Sequence, residues 1–179
     1  MSDDELYLAY FAGDASAGDS LMLRYADPLT AYLAGFLHHA QDAEDLMLDC
    51  FAVILVDRPK IAEGHFRAYL FRVARNKACR LWRLRRKEFS LDERLLPAGE
   101  SLEETVWAGE RSSILRRCLN RIAPDCREAL WLVYEMRMSY AQAAEVLGCN
   151  AKKIDHLLEK GKKRLRAELE REGVTHADI

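Results

Sequence analysis

Apolar residues recur along this chain at roughly helical spacing, in runs broken by glycine, proline and short polar stretches. Leu6, Leu8, Ala9 and Tyr10 followed by Gly13 predict a short first helix ended by a glycine. From Ser16, the positions Leu21, Leu23, Tyr25, Leu29, Tyr32, Leu33, Phe36 and Leu37 predict a second helix, in which Pro28 marks either a kink or a break. A third is predicted from about 42 to 56, opened by acids that suit a positive helix N-terminus and closed before Pro59. A fourth is predicted from about 65 to 87, with Phe66, Leu70, Val73, Leu81 and Leu84 along one side and Lys77 interrupting that stripe.

The pattern lapses over 88–100, where Ser90, Pro97, Gly99 and several acids mark a linker. It restarts at Ser101, which with Glu104 forms a capping-box signature for a helix reaching about 122. Pro124 suits the first turn of the next helix, whose apolar face is Ala129, Leu130, Leu132, Val133 and Met136. Ser139 and Gln142 form a second capping box, Gly148 ends the helix after it, and Asn150 is the N-cap of a last helix reaching about 170. The fold class expected is all-α: two small helical domains, 1–87 and 101–172, joined by an acidic linker at 88–100.

Residues 140–159 fit a helix-turn-helix. Ala144 is small where two helices cross, Gly148 permits a left-handed turn, and Val146, Leu147, Ile154 and Leu158 lock the pair together. The second helix then projects Lys152, Lys153, His156 and Lys160 outward, able to meet phosphates or base edges in a major groove. The plainer alternative is a helical hairpin with a solvated basic face.

Charge sharpens this picture. The 179 residues carry a net charge of −2, which says little until it is resolved along the chain. Residues 1–57 hold eleven acids and one base, Arg24, whereas 65–87 hold nine bases and no acid. Residues 88–110 then hold seven acids against Arg94, and 150–171 hold eight bases against four acids. Two basic blocks separated by an acidic one imply two anion-binding surfaces. In the first block Tyr69, Phe71 and Trp82 are interleaved with cations, so phosphates can be held while aromatics or Asn76 engage unstacked bases. The alternative reading makes the aromatics core and Asn76 part of a local network.

Other chemistry is thin. Half the residues are apolar and 31% charged, with nine Gly and four Pro, enough for packed cores and little for long loops. No stretch reaches the ~18 consecutive apolar residues of a membrane span, and the N-terminus is acidic where a secretory signal is basic, so a cytoplasmic protein without membrane contact is expected. Five widely spaced cysteines lack a Cys-x-x-Cys pair and read as reduced, mostly buried thiols. His38 and His39 lie near Asp42, Glu44, Asp45 and Asp49, but adjacent helical residues point about 100° apart and no paired ligands accompany them. These acids read instead as a solvated helix start. No metal, no cofactor and no catalytic residue is expected: there is no phosphate-cradling glycine loop, no G-x-S-x-G and no H-E-x-x-H.

Three stretches together resemble the extracytoplasmic-function group of the sigma-70 family, over about residues 3–170. The run DAEDLMLDCF at 42–51 is similar to that group's region-two signature, and AYLFRVARN at 68–76 to its promoter-melting segment. Residues 119–165, with the proline-led helix and Ser139, Tyr140 and Ala141, resemble region four. The resemblance implies a sigma factor that binds core RNA polymerase, through the β′ clamp helices and the β flap, together with promoter DNA, under control of an anti-sigma factor. It implies polymerase contacts at Asp42, Asp45, Leu46 and Asp49, with Phe51 in the core. It also implies a minus-ten contact at Asn76 and minus-thirty-five contacts at His156 and Lys160; with the basic block and the outward face of the second helix of the helix-turn-helix, the DNA-binding residues expected are Arg72, Arg75, Asn76, Lys77 and Arg80, and Lys152, Lys153, His156 and Lys160. The chain departs from the pattern at Leu48, Tyr69, and at Asp155, Leu157 and Glu159 of the recognition helix, so promoter preference does not carry over. The rival readings are a helix-turn-helix regulator that is not a polymerase subunit, and a sigma mimic that sequesters an anti-sigma factor.

Overall fold

The computed structural model describes residues 1–37, 39–89 and 110–174, and every regular element among them is helical. The chain divides into two compact units, Met1–Glu103 and Glu104–Ile179. In the first, α1 (Asp3–Phe11), α2 (Ala15–Leu37), α3 (Ala40–Asp57) and α4 (Phe66–Phe89) pack with α2 against all three others. A capping box beyond those expected opens α1: the Glu5 N–H donates to the Ser2 hydroxyl at 3.2 Å and the Ser2 N–H donates to the Glu5 carboxylate at 2.6 Å. Gly13, at φ +106°, turns the chain into α2. At the crossing of the two helices a Cβ on Gly18 would lie 2.7 Å from Tyr10 Cδ2, so any larger residue there would have to displace the Tyr10 ring.

Pro28 lies inside α2 without ending it. Proline removes one ladder hydrogen bond, but Tyr25 and Leu29 on either side are 2% and 0% exposed, and core packing holds the helix through the defect. The core joins Leu21, Tyr25, Leu29 and Leu33 of α2 to Cys50, Phe51 and Ile54 of α3 and Phe66, Leu70 and Phe71 of α4. Each large side chain so buried stabilises the fold by about 1.5–3 kcal/mol. Phe71 meets Tyr32 and Tyr25 edge to face, with ring centroids 5.2 and 6.4 Å apart.

In α4 the buried stripe differs from the expected one. It runs through Leu70, Ala74 and Ala78, all fully buried, whereas Val73 is half-buried and Leu84 is 49% exposed. Small alanines let α4 approach its neighbours closely, and the true stripe passes beside Lys77 rather than being interrupted by it.

The second unit holds α5 (Glu110–Asn120), α6 (Pro124–Leu130), α7 (Tyr140–Leu147) and α8 (Ala151–Arg171), with α8 packed on the other three. The capping box expected at Ser101 and Glu104 lies outside the described residues. The single helix expected from Pro124 through Met136 instead widens into a π-helical segment, Trp131–Glu135, after α6. There the Met136 N–H donates to the Trp131 carbonyl at 3.1 Å, and the Met138 N–H to that of Leu132 at 3.0 Å. The wider turn sends Leu132, Met136 and Met138 into the core and leaves Tyr134 outside, and Arg137 at φ +50° redirects the chain toward α7.

The α5–α8 seam is ionic. Glu168, 1% exposed, accepts from Arg121 at 3.5 Å and Arg171 at 3.1 Å and pairs with Arg164 at 3.0 Å. Glu172 pairs with Arg117 at 3.1 Å and Arg121 at 2.8 Å. These arginine hydrogen bonds hold the Glu172 carboxyl below its ordinary range, Arg117 first. Where α6 crosses α8, a Cβ on Gly161 would meet Leu130 Cδ1 at 3.0 Å and Cys126 Cβ at 3.3 Å.

Candidate nucleic-acid interface

Helical rotation places Tyr69, Arg72, Asn76, Arg80 and Arg83 on one outward line of α4, spaced by three and four residues. Asn76, Arg80 and Arg83 are exposed; Arg72 is half-buried, its guanidinium 5.0 Å from the Tyr69 ring centroid. Arg83 is not among the expected contacts, although its spacing from Asn76 and Arg80 is enough to find it. Of the interleaved aromatics, Phe71 is core, Tyr69 half-buried and Trp82 48% exposed.

The basic block is not one open surface. Arg67 is structural: its Nε donates to the Tyr25 hydroxyl at 3.0 Å, and Tyr25 in turn donates to Asp3, which also pairs with Arg24. Burial foremost, then that bond to Asp3, pushes the Tyr25 hydroxyl up to about 12. Arg75 is half-buried and lies off the outward line. Lys77 turns toward α3, its Nζ 3.1 Å from Asp49 Oδ2, and Arg85 reaches Asp42 at 2.6 Å. Two acids and two cations expected on separate surfaces are thus paired with each other, which corrects the reading of the α3 acids as a merely solvated helix start.

On α3, Asp45 and Asp49 are exposed, Asp42 and Leu46 half-buried, and Phe51 is in the core at 2% exposure. Leu48, Ala52 and Val56 continue the outward face of Asp45 and Asp49 at spacings of three and four, with Leu48 50% and Val56 73% exposed. The family pattern marks Leu48 as a departure and gives no signal for Val56. His39 is the N-cap of α3, its Nδ1 accepting from the Asp42 N–H at 3.4 Å. Among the described residues no three His, Cys, Asp or Glu side chains converge as metal ligands.

The helix-turn-helix is built by local signals. Ser139 accepts from the Gln142 N–H at 3.2 Å while Gln142 accepts from the Ser139 N–H at 2.9 Å; Gly148 ends α7 at φ +67°; and Asn150 accepts from the Lys153 N–H at 2.8 Å to open α8. Ile154, Leu157, Leu158 and Gly161 face inward. Leu157, expected among the outward departures, is only 5% exposed and belongs to the core, because three residues after Ile154 the helix has turned almost full circle. Lys152, Lys153, Asp155, His156, Glu159 and Lys160 are all exposed. On one flank Lys160 and Arg164 border an open cleft with Arg121; on the other, Asp155, Glu159, Lys162 and Arg166 border a hollow beside Tyr140. Lys162 lies 5.2 Å from the Tyr134 ring centroid, and its hydrogen bond to Tyr134 raises its pKa.

No helix among the described residues is long and apolar enough to cross a membrane. Residues 21–88 match the model of sigma-70 region 2, and residues 112–165 that of sigma-70, region 4. The "ECF RNA polymerase sigma factor SigM" of Bacillus subtilis is 21% identical over 151 residues, spanning 83% of this chain and 93% of that relative. The "RNA polymerase sigma-H factor" of Pseudomonas aeruginosa is 27% identical over 165 residues, spanning 82% and 83%. The fold is shared with the sigma factor RpoE of Bartonella quintana, with a TM-score of 0.73 at 22% identity over 85% of this chain and 96% of that one. The chain belongs to the sigma-70 family, in its extracytoplasmic-function group, and is a sigma factor of promoter-specific transcription initiation.

Proposed function

We propose that the chain docks on core RNA polymerase through Asp42, Asp45, Leu46 and Asp49 of α3 and engages opened minus-ten DNA through Arg72, Arg75, Asn76, Lys77 and Arg80 of α4. Residues 1–87 form the unit that does this. Residues 101–172 grip the minus-thirty-five duplex through Lys152, Lys153, His156 and Lys160, and 88–100 connect the two. Transcription chemistry belongs to the polymerase; this chain contributes binding. The observation that carries this reading is the placing of charge: exposed Asp45 and Asp49 on α3, an outward line of Arg72, Asn76 and Arg80 on α4, and a capped helix-turn-helix whose second helix exposes Lys152, Lys153, His156 and Lys160. An anti-sigma partner is part of the proposal, since the Bartonella quintana RpoE structure is a complex with the anti-sigma factor NepR.

Run-off transcription with purified core polymerase tests the assignment. A promoter-dependent transcript that Asp45→Lys/Asp49→Lys abolishes, with folding intact, is the expected result. The sigma-mimic reading draws on exposed Asp155 and Glu159 in α8. Capture of an anti-sigma factor without any transcript would favour it over promoter recognition.

A further inference from the structure

The inward residues of α8 fix which way its other side chains point. Ile154, Leu157, Leu158, Gly161 and Glu168 are buried. With about 100° of rotation per residue, Lys152, His156 and Glu159 fall on the ridge opposite them. Lys153 and Lys160 fall on one flank, beside the cleft bordered by Arg164 and Arg121, and Asp155 on the other, beside Tyr140 and Lys162; Glu159 sits at the edge of the ridge turned toward that second flank and borders its hollow too. These side chains, from Lys152 to Lys160, are all exposed and lie in the N-terminal half of the helix, the part that reaches base edges when a recognition helix enters a major groove.

Building on the region-four reading, we propose that α8 separates base reading from phosphate binding: Lys152, His156 and Glu159 read base edges, with Glu159 accepting from a cytosine amino group, while Lys153 and Lys160 hold phosphates of the groove wall. The ridge points at the groove floor, where phosphates are furthest from a carboxylate and base donors nearest. A carboxylate accepts only. Adenine presents its N6 donor beside the N7 acceptor, which repels a second acceptor, whereas cytosine presents its N4 donor without one. Glu159 is therefore matched to cytosine, and His156 and Lys152, as donors, to guanine. Asp155 is a different case: it lies on the flank toward the phosphates, but its charge is felt by Lys162, which offsets it locally.

The test uses the full chain assembled with core polymerase and a library of duplexes randomised through the upstream element, with the bound fraction sequenced. The parent is expected to prefer cytosine at one position by roughly tenfold. Glu159→Gln moves that one preference to adenine, because an amide pairs with both N6 and N7, and Glu159→Ala erases it while the other positions hold. Lys153→Ala/Lys160→Ala weakens binding to every sequence alike and lowers the salt slope by about 0.9 for each phosphate no longer neutralised. Unchanged thermal unfolding of the Glu159 variants, expected for an exposed residue, confirms that they fold. If Glu159→Gln selects the parent's bases at every position, or shifts all positions together, the division of α8 is wrong. If the parent selects no upstream sequence at all, the promoter-reading role of this unit fails, and the proposal with it.

Discussion

Replacing Glu168 probes how the α5–α8 seam is held. Its carboxylate is 1% exposed, but its partners Arg121, Arg164 and Arg171 have side chains 48%, 52% and 65% exposed, so each arginine regains water when the acid is removed. Pairs of that kind contribute about 0.2–1 kcal/mol each, or roughly 1–2 kcal/mol for three. Glu168→Ala also leaves a small void, for about 1 kcal/mol more per methylene removed. The expected total is about 2–3 kcal/mol. Glu168→Met keeps the bulk and relieves the desolvation of a buried charge, so it should stay within about 1 kcal/mol of the parent. Glu168→Gln should fall between. Urea unfolding followed by Trp131 fluorescence, in a background where Trp82 and Trp107 are phenylalanine, isolates the second unit. If the methionine variant loses as much as the alanine variant, the charge itself stabilises this seam and the weighing of desolvation against pairing is refuted.

Three further outcomes are expected. The stability that Glu172 contributes has a definite pH sign: its folded pKa lies below the ordinary 4.5, so the contribution is present above that value and lost as pH falls through the folded one. Unfolding curves of the parent and Glu172→Gln should therefore differ at pH 7 and converge in acid; a gap that widens in acid would reverse the sign. Among the thiols, burial pushes Cys50 up to about 12 and raises Cys118 and Cys126, whereas Cys149 is exposed. Ellman's reagent at pH 8 should titrate Cys149 first, half-buried Cys79 more slowly, and the other three only on unfolding; native reaction of Cys50 would contradict the packing around α3. Finally, Gly161→Val should destabilise by about 1–3 kcal/mol through overpacking against Leu130 and Cys126, whereas Gly35→Ala, with open space around its Cβ, should stabilise α2 by about 0.5–1 kcal/mol. Thermal melts that rank the two the other way would count against the helix crossings described.

Short-range signals are the most legible part of the chain. The caps at Ser139, Gly148 and Asn150 depend on residues within a few positions of one another, and the helices they delimit form where the spacing places them. Ser2 and Glu5 make the same motif, but the run after them is too short and weakly patterned to draw notice to it. The π-helical segment is illegible, because Leu132, Val133 and Met136 satisfy an ordinary helical stripe equally well on paper. The α4 stripe is easily misplaced because Ala74 and Ala78 look neutral, yet small side chains are what a close helix approach selects. Family register gives Leu157 an outward position, although its spacing from Ile154 and Leu158 marks it as core. Nor does any local rule reveal that Lys77 finds Asp49, or Arg85 finds Asp42, across 28 and 43 residues of sequence.

Those two cross-helix pairs tie the behaviour of one surface to the occupancy of the other. A partner that draws Asp42 and Asp49 away from Arg85 and Lys77 leaves those cations free, and a nucleic acid that draws the cations away leaves the acids free. The separation is needed only once. Whichever ligand arrives second meets groups already released, so each binds more tightly in the presence of the other, and by the same factor in either order. For two partly exposed pairs the separation is about 1 kcal/mol in all, a roughly fivefold cooperativity that rising salt would erode.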